Sequence, residues 1–201
     1  MRKASFIIAS ISLILFSTIL KAVEQTWTDW EKVTYSPLVF EDISNLIGNG
    51  SFTNWHSEGK MDAGKKAHHY WIENYTNKGF IIIDYLAMPP AWVITGSGND
   101  KKYLIRKAEY LLNTKNNPLK RLKKRDIERY RDIHDNVVAY VYFDHEGSSC
   151  IIFKKGYFKN QSGYVASAQD SETLVGIFCK NSGTVDEIFA HQLIDAMEVK
   201  K

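Results

Sequence analysis

Two cysteines are the residues of this chain with the widest choice of chemistry. Cys150 and Cys179 each lie beside a strand-like apolar run, CIIF and LVGIF, and the chain has no further cysteine. A zinc site needs about four ligands at short spacings, and no C-x-x-C pair is present. A cysteine nucleophile needs a histidine and an orienting partner, which the sequence does not place. The third possibility is a disulfide, and the compartment decides between the three.

The first 22 residues predict that compartment. Two basic residues precede an apolar run from Phe6 to Leu20. This run is typical of a cleaved secretory signal, because a membrane-spanning helix needs roughly 20 apolar residues. We therefore expect residues 1–22 to be removed, and residues 23–201 to form one exported domain, periplasmic or secreted, without a permanent membrane span. Since export exposes a chain to oxidising conditions, we expect a Cys150–Cys179 disulfide.

The histidines are candidates for metal ligands. His68 and His69 are adjacent, and His56 and Asp62 lie nearby in the sequence, so imidazole and carboxylate groups are available. No H-E-x-x-H or comparable spacing is present, however, and neighbouring residues of a strand point to opposite faces. We therefore predict neither a metal site nor a cofactor.

A serine and a lysine have the spacing of a known catalytic pair. Ser57 and Lys60 match S-x-x-K, which joins a nucleophile to a lysine in penicillin-recognising enzymes. Neither S-D-N nor K-T-G follows, and GSG at 96–98 is not G-x-S-x-G. The sequence therefore nominates no catalytic residue.

The segment 115–131, KNNPLKRLKKRDIERYR, carries the strongest local charge, with eight basic and two acidic residues. Asn117 and Pro118 are typical of a helix start, so we expect a helix over 116–133 whose basic side binds the phosphates of lipopolysaccharide, anionic lipid or nucleic acid. The alternative is a solvated helix face with ion pairs such as Lys124–Glu128. The candidate binding residues are Lys120, Arg121, Lys123, Lys124, Arg125 and Arg129. The apolar residues expected to pack inward are Leu119, Leu122, Ile127, Tyr130 and Ile133.

The overall charge and the aromatic content limit the classes of partner that this domain could bind. Three of the 26 basic residues and none of the 23 acidic residues lie in the predicted signal, so the exported domain is formally neutral. This balance argues against a specific nucleic-acid partner. All five tryptophans precede residue 93. They either line a groove for apolar or sugar-like ligands or pack in the core.

Strands are the main elements that must position these residues. The strongest is 78–88, which ends at Pro89 and Pro90, and 91–95 is its expected antiparallel partner. We expect one or two strands in 24–40 with a turn at Pro37, and a loop over 45–59. The segment 61–75 is either a short helix or an aromatic strand.

The second half of the chain alternates helix and strand patterns. A helix is predicted over 100–113, with Leu104, Ala108 and Leu111 on its inner face. A hairpin follows, and then a last strand. These strands are 137–143, 150–158 and 172–179. Thr184 and Glu187 form a capping box for a final helix over 184–198. The apolar residues of that helix are Val185, Ile188, Phe189, Leu193 and Met197. The predicted class is therefore α+β, an antiparallel sheet with packed helices and one disulfide.

The C-terminal quarter resembles a group of small exported bacterial proteins of uncharacterised function. The shared order is Cys-x-x-Phe, a glycine-containing turn, Leu-x-Gly-x-x-Cys, a short glycine turn and an amphipathic helix. It reads Cys150, Phe153, Leu174, Gly176, Cys179 and Gly183, followed by the helix over 184–198. The resemblance implies the disulfide and the α+β fold, and it implies no activity.

These patterns favour an exported, non-catalytic binding module whose partner is an anionic component of the cell envelope. An exported hydrolase with an active site that shows no sequence motif is the alternative. The sequence makes no prediction of oligomeric state.

Overall fold

The computed structural model describes residues 26–40, 43–61, 64–89, 99–114, 116–157 and 172–200. The predicted signal, residues 1–22, and the strand expected at 91–95 lie outside the described residues. None of the described helices is long and apolar enough to span a bilayer.

Most of the described chain forms strands. They are β1 Thr26–Trp27, β2 Glu31–Val33, β3 Leu38–Phe40, β4 Thr53–Lys60, β5 Lys66–Tyr75, β6 Gly79–Ala87, β7 Glu128–Arg131, β8 Val137–His145, β9 Ser148–Tyr157, β10 Glu172–Lys180 and β11 Met197–Val199. Nine of them form one antiparallel sheet in the order β1-β4-β5-β6-β10-β9-β8-β7, with β2 also paired to β4. The remaining two, β3 and β11, pair as a small second sheet. The predicted antiparallel architecture is confirmed.

Three helices cover the sheet, and they are a modest part of the described chain. They are α1 Ile43–Ile47, α2 Asp100–Leu111 and α3 Glu187–Asp195. The predicted inner residues of α2, Leu104, Ala108 and Leu111, are all buried. The fold is therefore a mixed one in which the sheet dominates.

Both faces of the nine-stranded sheet are apolar, because side chains alternate along each strand. We call the side of Cys150 and Ile152 the cystine face, which α2 and residues 116–127 cover. The side of Ile151 and Phe153 is the opposite face, which α1, α3 and the small sheet cover. The central strands β6, β9 and β10 are therefore buried on both sides, which explains their long unbroken apolar runs.

The predicted disulfide is present. Cys150 and Cys179 are bonded, and they lie directly opposite each other on β9 and β10. Both residues are fully buried. Joining residues 29 positions apart stabilises the fold by about 3–4 kcal/mol in the chain-entropy description.

Packing against a buried ring explains why residue 176 of β10 is a glycine. Gly176 faces Phe153 across the β10–β9 pair, and a Cβ atom on Gly176 would lie 2.3 Å from Cζ of Phe153. No real Cβ tolerates that distance, so a larger residue would displace a ring that is fully buried. Phe153 and Gly176, which both belong to the C-terminal sequence pattern, are therefore in direct contact across the two strands.

The predicted helix over 116–133 is wrong. Residues 118–121 form a turn, Lys124–Asp126 form one turn of 3-10 helix, and the chain then enters β7. A continuous helix would bring like charges such as Lys120 and Lys124 together at i,i+4, which is unfavourable. Pairing of β7 with β8 instead satisfies backbone groups along the β8 edge.

The apolar residues of this segment divide in two. Leu119, Leu122 and Ile127 are buried against α2 and the cystine face, as predicted. Tyr130 packs on the opposite face beside the sheet's other core cluster. Ile133 is 73% exposed, so its predicted burial is wrong, because the helical spacing that placed it inward does not exist.

Three further local predictions are corrected or resolved. The loop expected over 45–59 contains most of α1 and β4, since pairing with β5 overrides the weak strand preference of its Asn, Ser and Gly residues. In the ambiguous segment 61–75, residues 66–75 form β5. The final helix begins later than predicted, because Asp186 rather than Thr184 caps it by accepting a hydrogen bond from the Phe189 N–H at 2.8 Å.

That final helix also ends earlier than predicted, since Met197 lies in β11 rather than in the helix. Val185, Leu193 and Met197 are buried as expected, whereas Ile188 is 72% exposed. The difference follows from the later start, which rotates the buried face of α3 toward Ala190 and Ile194.

Candidate functional site

Five of the six predicted binding residues lie in a layer that α2 and residues 116–127 build together. The Asn117 side chain donates a hydrogen bond to the Ile105 carbonyl at 2.6 Å, and Arg129 pairs with Asp100 at 3.0 Å. The chain after α2 therefore returns along the helix toward its first residue. We call α2 and residues 116–127 the basic layer.

The outer surface of the basic layer is rich in cations. Its described residues include nine basic and three acidic side chains, a net charge of +6. Seven exposed cations form no ion pair with any described residue: Lys101, Lys102, Arg106, Lys120, Arg121, Lys123 and Lys124. Arg125 is also exposed and makes only a 3.9 Å contact with Asp126. Uncompensated like charges on a folded surface favour an anionic partner.

Arg129 differs from the other five predicted binding residues. Its guanidinium is held by Asp100, which also accepts a hydrogen bond from Lys154 at 3.3 Å. Arg129 therefore joins β7 to the start of α2 and leaves the outer surface to its neighbours. Sequence reasoning missed Lys101, Lys102 and Arg106, although they occupy the solvent face of a correctly predicted helix.

Exposed aromatic side chains lie on the same side of the sheet. Trp27 and Trp30 are 38% and 40% exposed, and their rings lie 5.6 and 4.8 Å from that of His69. Tyr110 of α2 is exposed and contacts Trp71 edge-on at 5.4 Å. Two of the tryptophans that the sequence singled out are therefore partly open to solvent, beside the basic layer rather than in a separate groove.

A buried ion cluster connects the tryptophans to α2. Asp84 is 1% exposed, and its two oxygens lie 2.8 Å from His69 Nε2 and 2.6 Å from Lys107 Nζ. Burial acts to raise the pKa of Asp84, but the hydrogen bond from His69 and the charge of Lys107 outweigh it and hold that pKa below its ordinary value. Asp84 is therefore a carboxylate that ties α2 to β5 and β6.

The same cluster contains the residue types of a catalytic triad. Ser57 lies directly opposite His69 across the β4–β5 pair, and His69 contacts Asp84. The Ser57 hydroxyl, however, is buried and donates to the Thr28 carbonyl at 2.7 Å. Because a serine nucleophile needs its hydroxyl bonded to the base and open to substrate, this geometry favours a structural role for Ser57.

Two histidines meet on the opposite face. His68 and His69 point to different sides of β5, as predicted, and His68 Nδ1 lies 3.1 Å from His56 Nε2. His56 Nδ1 is 3.5 Å from Glu31. Among the residues that the structure describes, no three histidine, cysteine or acidic side chains are grouped as metal ligands. Burial, followed by the charge of His56, lowers the pKa of His68.

This lowered pKa predicts a pH-dependent stability. The unfolded chain protonates His68 near pH 6.5, whereas the folded chain resists protonation until a lower pH. The free energy of unfolding should therefore fall as pH drops below about 6.5, over the window between the two pKa values. His68→Gln should flatten the curve of unfolding free energy just below about pH 6.5 in denaturant titrations.

A His68→Gln protein with the same acid-side slope as wild type would show that the His56–His68 contact does not carry the effect.

Comparison with protein-family models, with curated proteins and with solved structures finds no match for this chain.

Proposed function

We propose that this protein is an exported, non-catalytic binding module that docks the basic layer onto a membrane surface of phosphate-bearing lipids in the cell envelope. The observation that carries the proposal is the set of exposed cations on α2 and residues 116–127 that no described acid neutralises. They concentrate positive charge on one side of a domain whose predicted mature form is neutral.

The energetics suit reversible binding. Each lysine or arginine near an anionic lipid surface contributes about 1 kcal/mol. If all eight exposed cations reach the headgroups, they give about 8 kcal/mol and near-micromolar binding, whereas four of them give about millimolar binding. Trp27, Trp30 and Tyr110 add amphipathic rings on the same side of the sheet, and such rings favour the interface between water and hydrocarbon.

The contacts of the buried polar side chains favour a binding function over a hydrolytic one. Asp84 is saturated by His69 and Lys107, and the Ser57 hydroxyl is committed to a backbone carbonyl. The cations of the basic layer, in contrast, face solvent. These contacts support a docking surface rather than a concealed nucleophile.

Co-sedimentation with sucrose-loaded vesicles tests the proposal. The protein should pellet with vesicles of phosphatidylcholine and phosphatidylglycerol and stay in solution with vesicles of phosphatidylcholine alone. Free inorganic phosphate at the same total phosphate concentration should not release it, because a lipid surface presents many charges at once. Equal partition onto both vesicle types would contradict the proposal, and release by free phosphate would point to an isolated phosphate site. A parallel assay with lipopolysaccharide aggregates shows whether the basic layer binds the phosphates of lipopolysaccharide as well as those of phospholipids.

A further inference from the structure

A second site lies away from the basic layer, between the opposite face of the sheet and the small sheet. A cavity of about 1110 Å³ opens there. Its walls include the rings of Tyr70, Tyr85 and Tyr157 from the large sheet, and Val39 and Val199 from the small one. Cavities that bind drug-sized ligands have this size and this mixture of aromatic and apolar walls.

Two polar groups of the cavity are buried. The Glu172 carboxylate is 5% exposed and accepts a hydrogen bond from the Tyr85 hydroxyl at 3.0 Å. The Tyr157 hydroxyl is buried and forms no hydrogen bond with any residue that the structure describes. Burial raises the pKa of Tyr157, so its hydroxyl stays protonated and can donate as well as accept. An unsatisfied buried hydroxyl is costly, and a ligand hydroxyl would remove that cost.

The contact between His56 and His68 determines which ring nitrogen of His68, the third polar group of the cavity, can accept a hydrogen bond. If His56 donates from Nδ1 to Glu31, its Nε2 must accept, and His68 Nδ1 is then the donor across the 3.1 Å contact. His68 lines the cavity, and with Nδ1 protonated its neutral ring keeps Nε2 as an acceptor. Glu172 and His68 therefore offer acceptors, while Tyr157 and Lys200 offer donors, so the cavity suits a ligand that both donates and accepts hydrogen bonds.

Charges around the cavity argue against an ionic ligand. Glu172, Glu198 and Lys200 all lie in its walls, so charges of both signs surround the cavity and an ion of one sign is not favoured. Lys155 already pairs with Glu198 at 2.7 Å, and its ammonium lies 5.6 Å from the centre of the Tyr157 ring. A cationic ligand would compete with Lys155 for both groups.

We propose that this cavity binds a neutral, hydroxyl-rich ligand, a short oligosaccharide. Sugar hydroxyls supply the donors that Glu172 and His68 accept and a partner for Tyr157, while the C–H faces of the sugar rings pack on the tyrosine rings. The site is separate from the basic layer, so its occupant need not be a membrane lipid.

Saturation-transfer NMR and NMR titration test this assignment with four probes: chitotriose, maltotriose, spermidine and citrate. At least one trisaccharide should receive saturation from the protein, and the charged probes should not. Tyr157→Phe should raise the dissociation constant about two- to tenfold, the loss of one hydrogen bond.

The matched control is Tyr142→Phe, because the Tyr142 hydroxyl is also buried and forms no hydrogen bond within the described part of the chain, but it does not line the cavity. Both variants should unfold at the wild-type temperature and bind anionic vesicles normally, which separates this proposal from the membrane one. Absence of transfer to both trisaccharides, binding of spermidine or citrate instead, or an equal effect of the two variants would overturn the assignment.

Discussion

Replacing Lys155 with methionine should lower the free energy of unfolding by about 3–5 kcal/mol. Lys155 is fully buried, and its ammonium lies 2.7 Å from Asp132, 2.7 Å from Glu198 and 2.8 Å from the Met197 carbonyl. Methionine fills a similar volume but leaves two carboxylates without their cation. Urea denaturation followed by circular dichroism measures the loss.

The second variant in this test is Lys155→Met combined with Asp132→Asn. Removing the Asp132 charge takes away part of the repulsion, so the double variant should be less destabilised than the sum of the two single changes. A single Lys155→Met protein within about 1 kcal/mol of wild type would mean that this buried charge cluster does not hold β9 to β11 and the turn after β7.

Reversing four cations of the basic layer should nearly abolish binding to anionic vesicles. In Lys120→Glu, Lys123→Glu, Lys124→Glu and Arg125→Glu combined, four attractions of about 1 kcal/mol each are lost and replaced by repulsion, so affinity should fall about a thousandfold or more. All four side chains are exposed, so the melting temperature should stay close to that of wild type. Vesicle co-sedimentation and differential scanning calorimetry measure the two effects.

A second quadruple variant gives this experiment its control. Lys32, Lys60, Lys65 and Lys66 are exposed on the β2–β4–β5 side of the molecule, and their replacement by glutamate produces the same net charge. If position matters, this control should bind far better than the basic-layer variant. Equal losses in the two proteins would show that net charge alone governs the interaction, and the basic layer would then be an ordinary solvated surface.

Local sequence patterns were sufficient to predict secondary structure where the apolar periodicity of a segment agrees with the way it packs in the fold. The apolar runs of β6 and β10, the β8–β9 hairpin and the inner face of α2 are all in this class. The disulfide followed from an even cysteine count and an expected compartment, and the register of β9 with β10 places the two cysteines opposite each other.

Elements that depend on distant partners could not be predicted in this way. The segment 115–131 has a helix-like start, but β7 forms because the edge of β8 offers it backbone partners. The cavity is assembled from residues between Pro37 and Lys200, which belong to several strands and no single motif. Charge is visible in sequence, so five of the six predicted cations lie on the basic layer, whereas the contribution of α2 required knowing that the chain turns back along it.

The salt dependence of vesicle binding tests the central proposal most directly. Raising salt from about 0.1 M to about 1 M shortens the Debye length from about 10 Å to about 3 Å and screens the exposed cations. Binding of the wild-type protein to phosphatidylglycerol-containing vesicles should therefore be strong at the low salt concentration and lost at the high one. Binding that is unchanged across this range would contradict an electrostatic docking surface on the basic layer.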